Sequence, residues 1–362
     1  MVTCKKNLLI ISPTVPRSDT NAGDYRVWIM TKELSGYFNI FFMPLNYKTA
    51  DLKYAEKFNG KTAQIIKPVK SVSLFKKTLK NFNISVCLFE KYWSMTFDIR
   101  RFIEVSPFSI IDIHEIGFLK TAAQSRIQLI THASIYKAKE LLFYKDADLL
   151  IAISEEEEKE LHKYFPDKNI VVIPTCTDAA NLKFKTFEQR KDICYFGFFK
   201  HHPNIDAVRY FSENIFPKIQ KELPAVKFHV LGNGSSVFNN LYDDVITKEN
   251  IKNISAELSK YKVFVCPLRY GAGLKKKVLD SMAAKTPVVS TSFGFEGIKN
   301  MQRRSLKINS PKFTEQLIKI YKNKRLWSRL STKNFNTVSK YYSLKSFTEY
   351  VKKFVRTVKA ES

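Results

Sequence analysis

The chain alternates short apolar runs with longer stretches in which apolar residues recur every three or four positions. "NLLIISP" (7–13), "YFNIFFMPL" (37–45), "ISVCLFE" (84–90), "FSIIDIH" (108–114), "DLLIAIS" (148–154) and "NIVVIPT" (169–175) read as strands. The pattern then restarts with "KDICYFGFF" (191–199), "VKFHVLGNG" (226–234), "KVFVCPL" (262–268) and "TPVVSTS" (286–292). Near-continuous apolar strands separated by helical periods are the mark of parallel α/β sheets covered by helices on both faces. Two such sets predict two doubly wound domains, 1–182 and 190–343, linked through the polar stretch "AANLKFKTFEQR" (179–190). The tail from Ser305 has a helical pattern with Trp327, Tyr341, Tyr342, Tyr350 and Phe354 as apolar anchors, and its end, about 344–362, is expected to join the first domain.

Length agrees with this division, since 362 residues are enough for two cores of ordinary size. Charge adds a partner: 60 Lys and Arg against 34 Asp and Glu give +26, which points to phosphates, acidic lipid headgroups or nucleic acid. The opening "MVTCKKNLLIISPTVPR" has an apolar run too short for a signal peptide core or a membrane span. A cytoplasmic location is therefore expected, with peripheral contact to the inner face of an anionic membrane left open. The five cysteines form no C-x-x-C pair, so neither disulfides nor structural zinc are expected.

The stretch "RYGAGLKKKVLDSMAAKTPVVST" (269–291) brings chemistry into view. Its apolar period predicts a helix over 274–284, with Lys275, Lys276 and Lys277 in the first turn. A helix N-terminus already carries partial positive charge, so each cation there is disfavoured by about 0.3–1 kcal/mol. An anion would offset that repulsion, and Gly271 and Gly273, with Leu274 following, would let backbone N–H groups approach it. The competing reading is a solvated lysine cluster beside a loop.

These residues also carry a resemblance. "GFFKHHPNIDAVRYFSENIFPKIQKELPAVKFHVLGNG" (197–234) and "VFVCPLRYGAGLKKKVLDSMAAKTPVVST" (263–291) resemble the donor-binding half of glycosyltransferase family 4. "PTVPRSDTNAGDYRVWIMTKEL", "DADLLIAISEEEEKEL" and "IVVIPTCTD" are similar to that family's first loop and helix, a Ser-capped helix and an interdomain strand. The resemblance implies the GT-B architecture, two Rossmann-like domains facing a central cleft, with donor on the C-terminal side and acceptor on the N-terminal side. It also implies retaining chemistry without a bound metal or cofactor, the donor being a UDP- or GDP-sugar.

Residue by residue, the resemblance places Lys277, Lys275 and Asp280 at the donor, although the family usually has Glu where Asp280 stands. The partner Glu of that family falls at Ala272, and the Arg that follows its first glycine falls at Phe198. Lys200 and His201 are either donor contacts or loop residues. In the N-terminal half, Asp19 and Gly23 follow the first strand, Gly23 would let the backbone near the donor phosphates, and Arg26 would pair with Asp19 or with an anionic ligand. Asp19 is also read as a helix cap. His114, at the end of "IIDIHE" beside Asp112 and Glu115, is the residue expected to touch the transferring sugar or the acceptor hydroxyl, a structural histidine being the alternative. His114, Lys277 and Asp19 are thus the expected catalytic set.

Other signals are discounted. "DAD" (146–148) opens a strand and reads as punctuation, "SEEEE" (154–158) is a capping box, and "GNG" (232–234) is a strand-ending turn. "KSVSLFKKTLKNFN" (70–83) is an amphipathic basic helix that would either rest on an anionic membrane or pack on the core. The expectation is a retaining glycosyltransferase acting on a glycan or lipid-linked acceptor in cell-surface polysaccharide or glycoconjugate assembly. A nucleotide-sugar epimerase of the same fold and an inactive nucleotide-sugar-binding protein remain as alternatives. No nucleic-acid motif is found.

Overall fold

The computed structural model describes residues 5–17, 21–46, 54–56, 60, 62–90, 97–117, 130–178 and 184–362. The chain divides into two compact units, Met1–Pro174 with Thr348–Ser362, and Thr175–Phe347.

Among the described residues, unit 1 holds a seven-stranded sheet: β1 (Asn7–Ser12), β2 (Asn39–Pro44), β3 (Gln64–Ile65), β4 (Ile84–Glu90), β5 (Ser109–Asp112), β6 (Leu149–Ala152) and β7 (Asn169–Val172). The order is β3-β2-β1-β4-β5-β6-β7 and every pairing is parallel. Because parallel crossovers are right-handed, the reversal of order between β1 and β4 sends the connecting helices to opposite faces. Both faces of β1, β4, β5 and β6 are consequently buried, which is why those runs are apolar throughout.

Unit 2 holds β8 (Lys191–Phe196), β9 (Phe228–Leu231), β10 (Val245–Lys248), β11 (Tyr261–Cys266) and β12 (Val288–Ser290), in the order β10-β9-β8-β11-β12, again all parallel. Here the order reverses between β8 and β11. The second half of the supposed link packs onto this unit: Arg190 is buried and donates to Thr286 Oγ1 at 2.8 Å and to the Ala284 carbonyl at 3.1 Å. Trp327 and Tyr342 anchor the tail as expected, Trp327 Nε1 donating to the Lys262 carbonyl at 2.7 Å and Tyr342 Oη to the Gly297 carbonyl at 3.1 Å. Tyr341 and Tyr350 are only half-buried, whereas Phe347, Val351 and Phe354 are each buried.

The basic helix Val72–Asn81 buries Phe75 and Leu79 against the unit 1 core, with the Phe75 ring stacked on Phe102 at 4.3 Å. Its apolar stripe is thereby used inside the fold, leaving Lys76, Lys77 and Lys80 at the surface. Only Leu74 stands exposed among its apolar side chains, so this helix does not present the apolar face that lying in a bilayer surface requires. No described helix is long and apolar enough to cross a membrane. Cys87, Cys176, Cys194 and Cys266 are buried and form no disulfide among the described residues.

Punctuation is also resolved. Asp148 Oδ2 accepts from the Ser109 amide and hydroxyl, both at 2.7 Å, which fixes the entry to β6. Ser154 caps Glu155–His162 by accepting from the Glu157 amide at 3.2 Å, while the Glu157 carboxylate reaches one residue further back than a capping box requires, to the Ile153 amide at 3.3 Å.

Candidate functional site

In unit 2 the expected donor residues gather at the carboxyl ends of β8 and β11, the place where the strand order reverses and open α/β sheets take ligands. After β11 the chain turns through Gly271 (φ +135°) and Gly273 (φ +75°), conformations closed to most side chains. The helix then runs over Lys276–Ala283, starting two residues later than its apolar period predicts, because Leu274 is buried outside the helix. Lys275 is its N-cap, and the Lys275 side chain makes no cap hydrogen bond to the first turn.

The three lysines have three different fates. Lys275 bends back to the turn, donating to the Ala272 carbonyl at 2.8 Å, to the Gly273 carbonyl, and to Glu296 Oε2 at 3.2 Å. Lys276 pairs with Asp280 Oδ1 one turn on, at 2.6 Å. Lys277 turns inward, its ammonium 2.8 Å from Tyr195 Oη on β8, against Asn204 Oδ1, and 4.7 Å from the Tyr195 ring centre. These partners are neutral oxygens and a ring face. Desolvation by burial lowers the Lys277 pKa to about 8, and the neighbouring charge of Lys275 adds to the depression. The side chain as a whole is only half-buried, but its charged end lies among protein atoms.

Asn204 holds this corner together: it accepts from Tyr195 Oη at 2.7 Å and donates to the Phe198 carbonyl at 2.8 Å. Tyr195 lies in a strand run and Asn204 in the first turn of a helix, and neither position signals their joint role. Burial drives the Tyr195 phenol well above its ordinary pKa, so it stays a neutral hydrogen-bond donor. Asp280 is buried and its Oδ1 also accepts from Thr177 Oγ1 at 2.6 Å. It is thus not the surface acid that a simple counter-charge would be. Lys200 and His201 lie exposed on the turn before helix His202–Asn214, with Phe198 also largely exposed.

In unit 1, Asp19 lies outside the described residues. Gly23 sits half-buried in the first turn of Ala22–Leu34, whose cap is Asn21, accepting from the Asp24 amide at 2.9 Å. Arg26, on that helix, reaches Asp112 at the end of β5: Nε to Oδ2 at 2.8 Å and Nη2 to Oδ1 at 2.7 Å. Arg26 thus forms a bidentate fork with Asp112, while the expected pairing with Asp19 falls outside the described residues. His114 Nε2 lies 2.8 Å from Glu90 Oε2 at the end of β4 and 3.6 Å from Asp112 Oδ2. Glu90, a strand-end acid that no local pattern marks, makes a pair of buried carboxylates with Asp112. Burial pushes the Asp112 carboxyl above its ordinary pKa while the Arg26 charge pulls it back. Glu90, Asp112 and His114 have donor atoms close enough to enclose a cation. Because Arg26 already grips both oxygens of Asp112 and His114 faces Glu90, the group is a network of ion pairs and hydrogen bonds.

Residues 190–323 match the family of glycosyl transferases group 1. This segment contains Tyr195, Asn204 and the whole lysine turn. An uncharacterized 44.6 kDa protein in the cps region of Klebsiella pneumoniae is 26% identical over 155 residues, a match that spans 39% of this chain and 40% of that relative. S. aureus TarM, solved as a mutant with fondaparinux, α-GlcNAc-glycerol and UDP, superposes with a TM-score of 0.69 at 12% identity over 97% of this chain and 99% of its own. Sucrose-phosphate synthase from Thermosynechococcus elongatus gives 0.72 at 14% identity over 99% and 100%. The fold is the GT-B fold of such glycosyltransferases.

Proposed function

We propose that this protein is a retaining, metal-independent glycosyltransferase of family 4, moving a hexose from a nucleotide diphosphate, a UDP- or GDP-sugar, to a glycan or lipid-linked acceptor. The observation that carries the reading is Lys277: a desolvated ammonium at an uncapped helix N-terminus, beside Lys275, whose described partners include no carboxylate. Such a centre has excess positive charge and gains by taking up a diphosphate. As the bond from the anomeric carbon to the phosphate oxygen breaks, negative charge grows on the leaving phosphate. A fixed cation stabilises that state more than the ground state. The acceptor oxygen bonds the anomeric carbon on the same face, and its proton passes to the departing phosphate.

Further support comes from the group 1 match over this segment, from UDP in the TarM complex, and from the cps region that holds the Klebsiella relative. These favour a role in cell-surface polysaccharide or glycoconjugate assembly. On the acceptor side, His114, braced by Glu90, is the group assigned to the sugar or the acceptor hydroxyl. Asp280 is assigned to the ribose through its second carboxylate oxygen.

A second reading, a nucleotide-sugar epimerase, is favoured by the buried carboxylates Glu90 and Asp112 beside His114. Incubating the best-bound donor without acceptor separates the two: an epimerase converts the sugar, a transferase does not. The primary test is a thermal-shift panel of UDP-, GDP- and ADP-sugars followed by Lys277→Ala with the best binder. Loss of donor affinity and turnover supports the assignment. Unchanged affinity and turnover in a folded variant would remove Lys277 from the site.

A further inference from the structure

A second basic feature of unit 2 lies outside the donor turn. Helix Lys324–Tyr341, together with Asn300, forms a shallow groove of about 660 Å³ that is wide open to solvent. Arg329, Lys333 and Lys340 fall on one stripe of this helix, spaced four and seven residues apart, and at 1.5 Å per residue they span about 16 Å. A second stripe beside it carries Ser328, Thr332 and Asn336, again four residues apart. The tip of the groove is the Tyr341 ring, with the Lys299 and Lys340 ammonium groups 5.0 Å and 5.1 Å from its centre.

Two observations separate this surface from an ordinary solvated helix face. First, the helix contains no Asp or Glu in its 18 residues. Second, among the described residues no carboxylate pairs with Arg329, Lys333 or Lys340. Other surface lysines of this chain do find acids: Lys163 with Glu160, Lys248 with Glu257, Lys352 with Glu349. Unpaired like charges along one stripe repel each other and are relieved by an anionic ligand.

We propose that this groove binds an acidic polysaccharide chain. The cationic stripe pairs with its carboxylate or phosphate groups, and the parallel stripe of hydroxyls and amides bonds its sugar hydroxyls. The lining chemistry favours this occupant over the other polyanions. A bilayer surface calls for exposed apolar side chains, whereas Trp327, Leu330 and Val338 of this helix are buried. Single-stranded nucleic acid calls for open aromatic faces on which bases stack, whereas the aromatic ring here has two ammonium groups beside it. Extended glycan with alternating charge and hydroxyl matches both stripes at once. The inference stands apart from the donor reading, because binding in the groove requires no nucleotide and Lys277 is not part of it.

The test is fluorescence anisotropy of a labelled oligogalacturonate on the full chain, with neutral dextran, single-stranded RNA and phosphatidylglycerol vesicles as parallel probes. Two paired variants are compared: Arg329→Glu with Lys333→Glu, and Thr332→Val with Asn336→Leu. The charge reversal is expected to weaken oligogalacturonate by about tenfold or more, with the residual binding less sensitive to salt. The hydroxyl and amide pair is expected to weaken oligogalacturonate several-fold and leave RNA and vesicle binding as they were. Should the reversed variant unfold, as read by its thermal melt, Arg329→Gln with Lys333→Gln replaces it with the same expected direction. Oligogalacturonate binding that ignores the charge change overturns the proposal. So does a result in which RNA or vesicles bind as tightly and the hydroxyl and amide variant is silent, since that describes a plain polyanion surface. A failed nucleotide-sugar panel would bear only on the donor site.

Discussion

Arg26 and Asp112, 86 residues apart in the chain, meet in a two-pronged ion pair at the carboxyl edge of the unit 1 sheet, with both side chains almost wholly buried. The fork ties helix Ala22–Leu34 to β5 and orients the strand end from which His114 projects. Removing one member leaves the other charge buried without its counterpart, which typically costs about 3–5 kcal/mol. Arg26→Met alone and Asp112→Leu alone should each lower stability in urea unfolding by that order. The double variant should be clearly less destabilised than the sum, because neither member of the pair is left facing an absent counterpart.

Such pairs explain what could and could not be read from the sequence. β6, "LLIA", was legible because a strand buried on both faces is apolar at every position. β3 and β10 were not: each is an edge strand, two and four residues long, with half-exposed or exposed side chains throughout, so neither shows an apolar run. Gly271, Gly273 and the lysines were legible because turn glycines and charge excess at a helix start are local signals. Tyr195 and Asn204 were hidden because their partner, Lys277, is 82 and 73 residues away. Glu90 was hidden for the same reason: at the last position of β4 it looks like strand punctuation until β5 brings His114 beside it.

Glu90 and His114 should behave as one unit. The 2.8 Å contact fixes the imidazole ring, so Glu90 acts as a positioning residue for whatever His114 touches. Glu90→Gln and His114→Ala are each expected to lower kcat by about one to two orders of magnitude, the range of a lost general acid–base or positioning contact, with donor affinity in the thermal-shift assay unchanged. In the double variant the losses should not multiply, because each single change already breaks the same contact. Multiplying losses, or a lost donor shift, would separate the two residues.

Thr177 and Asp280 offer a test that needs no substrate. The Thr177 hydroxyl donates to a buried carboxylate at 2.6 Å, a charge-assisted bond worth about 1.5–3 kcal/mol when its acceptor stays behind. Thr177→Val keeps the shape and removes the donor, so unfolding free energy should fall by that amount, while Thr177→Ser should restore most of it. If valine is tolerated without loss, Lys276 alone satisfies Asp280.

Lys277 makes the stability of unit 2 depend on pH in a direction opposite to that of an ordinary paired lysine. Its folded pKa is near 8, whereas the unfolded chain holds the proton up to about 10.4. Between those values the unfolded state binds more protons than the folded state, so stability rises with pH across that window. Below pH 8 both states are protonated, and the cost of burying the charge is constant. Lys277→Met removes the group and with it this slope. Thermal or urea unfolding of the two proteins from pH 7 to 10 should therefore show the variant ahead at neutral pH and the gap closing as pH rises. A diphosphate ligand reverses the trend for binding, since it favours the ammonium: UDP affinity should fall as pH passes about 8 in the native protein and stay flat in Lys277→Met. A constant stability gap together with a flat native UDP profile would mean that the ammonium is solvated, and the reason for expecting an anion there would be gone.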